Sequence, residues 1–402
     1  MTTRRNLLML AGAAAAAAAT AACKATDETR PAALRVPDVL VVKTRDGLAV
    51  ARDGGLTPGR AGALSATGSM LCLATATDKT TRLDFTTTLA GTHLGGYAVD
   101  GRWTPRVVHA GGSLVALVAP EGDPLKPQAR AKTTIVIADS AKIRQKITVP
   151  GVVEPDAFTA DQTGLFVLEW LPANAPDHYR VRRLDLATQR LEPLWTRDKV
   201  PVPPGAEEEM RGEGRTAVAS PSGRVLYTLY THQPGHQHTR DLLSGRPGNV
   251  HAFVHTLETE QNWAYCIDLP DPFGHSPSSA YSITLSADGT LLFVVDLAAG
   301  ALARISTETL KVLDVVKVTA DSGTAYATAS DKQLYLGGDQ GVQVLDLAGT
   351  PIEKWSTPAV RGLAVSRDLT RVYAAREGGV TWRGSSLGDV ALPGLTGLIR
   401  VA

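Results

Sequence analysis

Six of the nine histidines in this chain fall between residues 231 and 275. His232, His236 and His238 share one polar stretch, HQPGHQH, in which the His236/His238 pair is spaced to chelate a single ion through one flexible loop. His251 and His255 follow at an even spacing through Phe253, which puts both on one side of a strand. His275 comes from the next connection. Neutral imidazole suits Zn²⁺ and Cu²⁺, and the three cysteines, Cys23, Cys72 and Cys266, show no CxxC spacing that would add a thiolate pair. The chemistry open to these residues is therefore histidine-based metal binding. The alternative is a polar loop whose imidazoles face water, with His251 and His255 hydrogen-bonded within a sheet, because the spacing matches no strict ligand signature.

Two neighbouring stretches carry charge toward the same region. Glu207, Glu208, Glu209 and Arg211 belong to a run of alternating sign after Pro201, Pro203 and Pro204. Such a run either binds a cationic or metal-bearing partner or neutralises itself in solvent. The proline-stiffened stretch DLPDPFGH carries Asp271 together with His275. Asp241 and Glu207 form one carboxylate pair that a closed fold can bring together, and His178 approaches from an adjacent repeat. Trp170, Tyr179, Trp263 and Tyr265 flank these loops, where packing between repeats is the expected use; Trp103, Trp195, Trp355 and Trp382 lie near strand ends and read the same way.

The elements that position these residues repeat. Eight times a short apolar segment is followed, after a turn, by a second one, as in residues 291–295 with 301–305, 334–336 with 342–347, and 372–374 with 380–382. A unit of strand and turn recurring about every 40 to 50 residues predicts an all-β fold, a β-propeller of four-stranded blades. Residues 283–318 show the unit best: strands at 283–286, 291–295, 301–305 and 312–318, the first two joined by Ala287-Asp288-Gly289, whose Asp-Gly pair suits a two-residue hairpin with positive φ at both positions. Through LSADGTLLFVVDLAAGALARISTETLKVLDVVKV and its weaker copies the chain resembles the YVTN and WD40-like propellers of secreted bacterial proteins. The resemblance implies the fold and little about function. The hairpin count favours eight blades over seven. Residues 397–402 read as an innermost strand without successors, and 39–44 with 48–51 as strands without an innermost partner, so the two ends are expected to close the ring in one blade and remove its open edges.

Loop lengths point to one face. Connections between first and second strands, and between third and fourth, are short. The long ones, at 120–131, 172–177, 197–214, 231–249 and 270–279, are of the other two kinds, which emerge together in an up-and-down blade. Long loops on a rigid scaffold are where binding resides, so the histidine and acidic residues define the expected binding face, over the mouth of the channel. Extracytoplasmic propellers that act as zinc chaperones are similar in carrying histidine-bearing loops, with no shared motif that transfers a residue role.

The first residues are expected to lie outside the propeller. Arg4 and Arg5 precede an alanine-rich apolar run at 7–19, too short to span a bilayer, and Thr20-Ala21-Ala22-Cys23 resembles a bacterial lipobox, with Thr20 in place of the usual leucine. The expected organisation is a twin-arginine-type signal peptide at 1–23 with lipidation at Cys23, a tether at 24–37 and one propeller at 38–402. Such a protein is exported and membrane-anchored through lipid only. Cys72 and Cys266 fall in distant blades and are expected as small buried side chains.

Charge excludes one class of partner. Lysine and arginine total 41 against 40 acidic residues, with no long block of either sign, so the electrostatic footprint of a nucleic-acid binder is missing. No GxSxG elbow or CxxCH haem attachment occurs. The expected function is a monomeric binding module for a small-molecule, metal or protein ligand, with a Zn or Cu carrier as the first alternative and a hydrolase or lyase at the channel mouth as the second.

Overall fold

The computed structural model describes residues 35–402 apart from 121 and 249. The expected signal peptide at 1–23, Cys23 and all but the last three residues of the tether lie outside the described residues. From Val36 onward the chain folds as one unit, an eight-bladed β-propeller. We number the blades in chain order: blade 1 spans residues 61–100, blade 2 104–150, blade 3 152–192, blade 4 215–268, blade 5 281–317, blade 6 326–355 and blade 7 363–391. Blade 8 pairs the C-terminal strand Leu395–Val401, innermost, with Leu40–Thr44, Gly47–Arg52 and Gly55–Leu56.

This seam is held by a ladder running from Leu40 opposite Val401 to Thr44 opposite Leu395. Leu40, Val42, Leu398 and Val401 share one buried cluster with Tyr373 and Trp382 of blade 7. Closing the ring with strands from both ends leaves no edge in the inner circle to template aggregation. Asp38 secures the entry, accepting from Arg371 Nε at 2.8 Å and from the Tyr373 hydroxyl at 2.6 Å.

Strand composition follows from position in the blade. The second strand of blade 5, Leu291–Asp296 (LLFVVD), is buried at every position but its first, because sheets press on both of its faces. The outermost strand, Lys311–Lys317 (KVLDVVK), alternates exposed and half-buried residues along its length, since one face meets water.

The short turns between first and second strands reuse one device. In Thr159/Asp161/Thr163, Ser286/Asp288/Thr290 and Ser366/Asp368/Thr370 the aspartate Oδ1 accepts from the first hydroxyl at 2.6 Å. The same oxygen accepts the amide N–H of the last threonine at 3.0–3.1 Å. Positive φ is confined to the residue after the aspartate, Gln162, Gly289 or Leu369. The turn at 287–289 thus differs from the expected hairpin with two left-handed residues: Gly289 N–H closes onto Ser286 O, and the aspartate side chain does the rest of the work of reversing the chain.

Blade 4 departs from the regular plan. Its sheet has a fifth strand, Trp195–Thr196, which runs parallel to the outer strand Trp263–Asp268, while the fourth strand of blade 3 is cut to Leu191–Glu192. The chain between these blades therefore leaves blade 3 early, crosses to the rim of blade 4 and returns over it through residues 197–214. Among the described residues the one α-helix, Thr239–Ser244 (here α1), sits in the long loop of the same blade. No helix among them is long and apolar enough to cross a membrane.

Candidate metal centre

Glu208 is the hub where the crossing segment meets the histidine loop. The segment is pinned by Tyr179 and Met210, whose amides and carbonyls exchange hydrogen bonds at 2.9 Å in both directions. The loop is pinned by α1: Asp241 accepts the His238 amide at 3.2 Å, and Gly245 ends the helix in the left-handed region at φ 65°. Glu208 Oε1 then accepts the first helical amide, that of Thr239, at 2.9 Å. That leaves Oε2 for the side chains.

Three side chains converge on this one oxygen. His236 Nε2 lies 3.4 Å away, His238 Nδ1 3.2 Å, and Cys266 Sγ–H donates at 3.0 Å. The far nitrogen of each ring also faces an acceptor: His236 Nδ1 is 3.1 Å from Glu209 O, and His238 Nε2 is 2.6 Å from Asp268 Oδ1. Asp268 is held in turn by Arg240 at 2.6 Å. His236 stacks on Phe253, ring centroids 4.3 Å apart, and His238 meets the edge of the same ring. Both imidazoles are thus fixed by packing and by a partner beyond them.

The charges follow from this geometry. Burial pushes the Glu208 carboxyl up, but the two histidines outweigh it and hold it well below the usual carboxylate range. Burial opposes the charge on His238, and the hydrogen bonds to Asp268 and Glu208 overcome that, raising it to about 9. Burial, reinforced by Glu208, pushes the Cys266 thiol well above its ordinary value. His255, next to these groups in the sheet and opposite Cys266 in register, has its pKa pushed down to about 4 by burial and is neutral. Without a cation the cluster is held together by protons converging on one carboxylate oxygen.

The ligating atoms of Glu208, His238 and Cys266 all lie within 4.8 Å of one another. Metal bonds of about 2.0–2.3 Å in a tetrahedral site put ligand atoms roughly 3.4 Å apart, close to the 3.0 and 3.2 Å that separate Glu208 Oε2 from its two partners here. A carboxylate, an imidazole whose other nitrogen is hydrogen-bonded to a carboxylate, and a thiol make a donor set suited to Zn²⁺.

The same three residues line a cleft of about 470 Å³ between blades 3 and 4. Val181, Leu194, Val202, Met210, Ala264 and Tyr265 form much of its wall. It opens because blade 3 lacks most of its fourth strand, and the site gathers Glu208 of the crossing segment, His238 at the start of α1 and Cys266 of the outermost strand of blade 4, away from the channel axis. The centre is therefore displaced from the channel mouth, where the loop lengths had placed the binding face.

The other expected site residues disperse. His251 precedes the strand Phe253–Glu258 rather than sharing a side of it with His255; its ring lies 5.0 Å from that of His275, which is itself 3.2 Å from Asp271 Oδ1 on the exposed rim. His232 adopts a positive φ and pairs with Thr231 Oγ1 at 2.8 Å. His178 pairs with Asp177 at 2.6 Å and approaches Glu209 at 3.6 Å. Glu207 is bound by Arg180 at 2.9 Å and Arg182 at 3.1 Å, and Asp241 caps α1, so neither belongs to a facing carboxylate pair. Arg211 contributes its amide, which donates to Gln233 Oε1 at 2.9 Å. Of the tryptophans, Trp103, Trp170, Trp355 and Trp382 are buried as expected, whereas Trp195 is exposed at the cleft. Sequence reasoning missed Cys266 and Asp268 as members of the centre. Their signal was register and alternation together: Cys266 lies directly opposite His255, and Asp268 follows two residues on along the same strand.

No family model matches the chain, and no curated protein does. Solved structures do: apo AztD from Citrobacter koseri matches with a TM-score of 0.55 at 12% identity, over 90% of this chain and 97% of that one. Dihydro-heme d1 dehydrogenase NirN in complex with DHE matches with a TM-score of 0.54 at 11% identity, over 92% of this chain and 76% of that one. At such identities the likeness is one of propeller architecture.

Proposed function

We propose that this chain is an extracytoplasmic binding module whose ligand is a divalent transition-metal ion, Zn²⁺ in the first place, held by Glu208, His238 and Cys266. The observation that carries this reading is the convergence of His238 Nδ1 and the Cys266 thiol on Glu208 Oε2, whose protons a single cation replaces while His238 keeps Asp268 and Glu208 keeps the Thr239 amide. His236 orients the carboxylate, and Asp268 fixes the tautomer of His238. A thiol and a histidine with raised pKa values must give up protons when the ion binds, so binding releases protons and strengthens as pH rises toward 9. Export and lipid anchoring through Cys23 are part of the proposal, supported by Arg4, Arg5 and the small residues before Cys23.

The test is titration of metal-free protein with Zn²⁺ by calorimetry in two buffers of different ionisation enthalpy. One ion per chain with buffer-dependent heat is expected, abolished by Glu208→Gln combined with His238→Ala. An equal affinity in that double variant would end the reading. Anchoring is tested separately by mass spectrometry of the membrane-fraction protein, in which Cys23 carries acyl chains and Cys23→Ala releases the protein to the soluble fraction.

A further inference from the structure

A bare ion needs a small fraction of 470 Å³, and the cleft that the three donors line is far larger than that. Its walls are mostly apolar, and its lip is apolar and exposed: Trp195 is 42% accessible, Val200 55% and Leu243 60%. Three large apolar side chains left in water around one opening are a marker of a binding site. A volume of this size, with apolar walls and a few convergent polar groups at one end, is the ordinary anatomy of a small-molecule pocket. Glu208, His238 and Cys266 supply three protein ligands, and three is the number found in zinc sites that keep a fourth position for an exchangeable group.

We infer that the cleft between blades 3 and 4 takes a small organic Lewis base with an apolar body, whose donor atom fills the fourth position of the ion while its body lies along Val181, Leu194, Met210 and Ala264. This inference rests on the metal reading above and adds the class of co-ligand. Recognition comes in two parts. The head is selected by coordination, and the body by burial of apolar surface against the wall and the lip. No covalent step is involved, only exchange of a water or hydroxide on the ion for the donor atom.

Cobalt-substituted protein provides the test, because the visible absorption of Co²⁺ reports its ligands. Co²⁺ is titrated first, and imidazole and 4-phenylimidazole are then titrated into the loaded protein. The expected result is a saturable spectral shift with both, at least tenfold tighter for 4-phenylimidazole, that difference shrinking severalfold in Val200→Glu/Leu243→Glu while Co²⁺ affinity is unchanged. Both substitutions sit at exposed positions, so the fold is retained. Equal affinities for the two probes, or no shift with either, overturn the co-ligand and leave the metal reading standing. Failure of Co²⁺ to bind at all removes both.

Discussion

Blade 4 has two faces, and they are built differently from the same strands. Toward blade 5, Tyr227, Leu229, Val254 and Ile267 pack against Ile283, Leu292, Val294 and Ala303 in a continuous apolar cluster. Toward blade 3, the alternate residues are Thr228, Tyr230, Phe253, His255 and Cys266, and the gap is partly a cleft. The positions correspond: His255, between Thr228 and Cys266 in register, matches Ala303 between Val294 and Val315 one blade on. Because side chains alternate with a period of two, a propeller sheet can devote one face to cohesion and the other to chemistry without altering its backbone. What distinguishes the two gaps is the outer strand of the preceding blade. It is full length in blade 4 and two residues long in blade 3.

Substitutions on the two sides of blade 4 remove different things. Removing a donor on the blade 3 side, as in Glu208→Gln or Cys266→Ser, is expected to weaken Zn²⁺ binding by about a thousandfold, roughly 4 kcal/mol. Removing bulk on the other side, Leu229→Ala, is expected to cost about 3 kcal/mol of stability and to leave Zn²⁺ affinity within twofold. Calorimetry and thermal unfolding on the same pair of variants measure both. A shared loss of affinity would show that the two faces are not independent.

Proton linkage sharpens the contrast. In the folded protein without metal His238 has its pKa raised from the ordinary 6.5 to about 9, so its contribution to stability is full below 6.5 and is lost as pH rises through 9. With Asp268 partly open to solvent, that contribution is on the order of 2 kcal/mol. Metal-free protein should therefore show a falling Tm between pH 7 and 9.5 that His238→Gln flattens, while Zn²⁺-loaded protein shows none of that fall because the ion has replaced the proton. Leu229 lies in an apolar cluster between blades 4 and 5, and Leu229→Ala is expected to lower the whole curve without changing its slope.

The fold was legible because its signal is repeated. Eight hairpins reinforce one another, and the closing strands at 39–44 and 397–402 could be paired by what each lacked. Within the centre, Glu208, His236, His238 and His255 were legible by residue type, because imidazoles and an acidic run crowd two neighbouring loops. Cys266 was read as a small buried residue, which it also is; its partner Glu208 lies 58 residues away in sequence, and only the closed blade brings them together. The cleft was not legible at all. It results from a shortened strand in blade 3, and a missing strand leaves no residue pattern to read. His251 was misplaced because an even spacing implies a shared face only if both residues lie within the strand, and the strand begins at Phe253.

The smallest expected effect concerns that misplaced histidine and its neighbour. His251, just before the third strand of blade 4, sits with His275 and Asp271 of the connection 270–279, where the His275 side chain is 54% and the Asp271 side chain 91% accessible. Exposed charges of this kind contribute only tenths of a kcal/mol, since water and salt screen them and both side chains lose freedom on pairing. His275→Ala is thus expected to shift stability by less than about 0.5 kcal/mol and to leave the first Zn²⁺ equivalent bound with unchanged affinity. The reason is the absence of what the buried centre has: a carboxylate held by a helix amide, rings fixed by an aromatic face, and outer partners for each nitrogen. If His275→Ala instead weakened the first equivalent as much as His238→Ala, the ion would belong to the rim, and the face of blade 4 turned toward blade 3 would be a second apolar gap with a few satisfied polar groups.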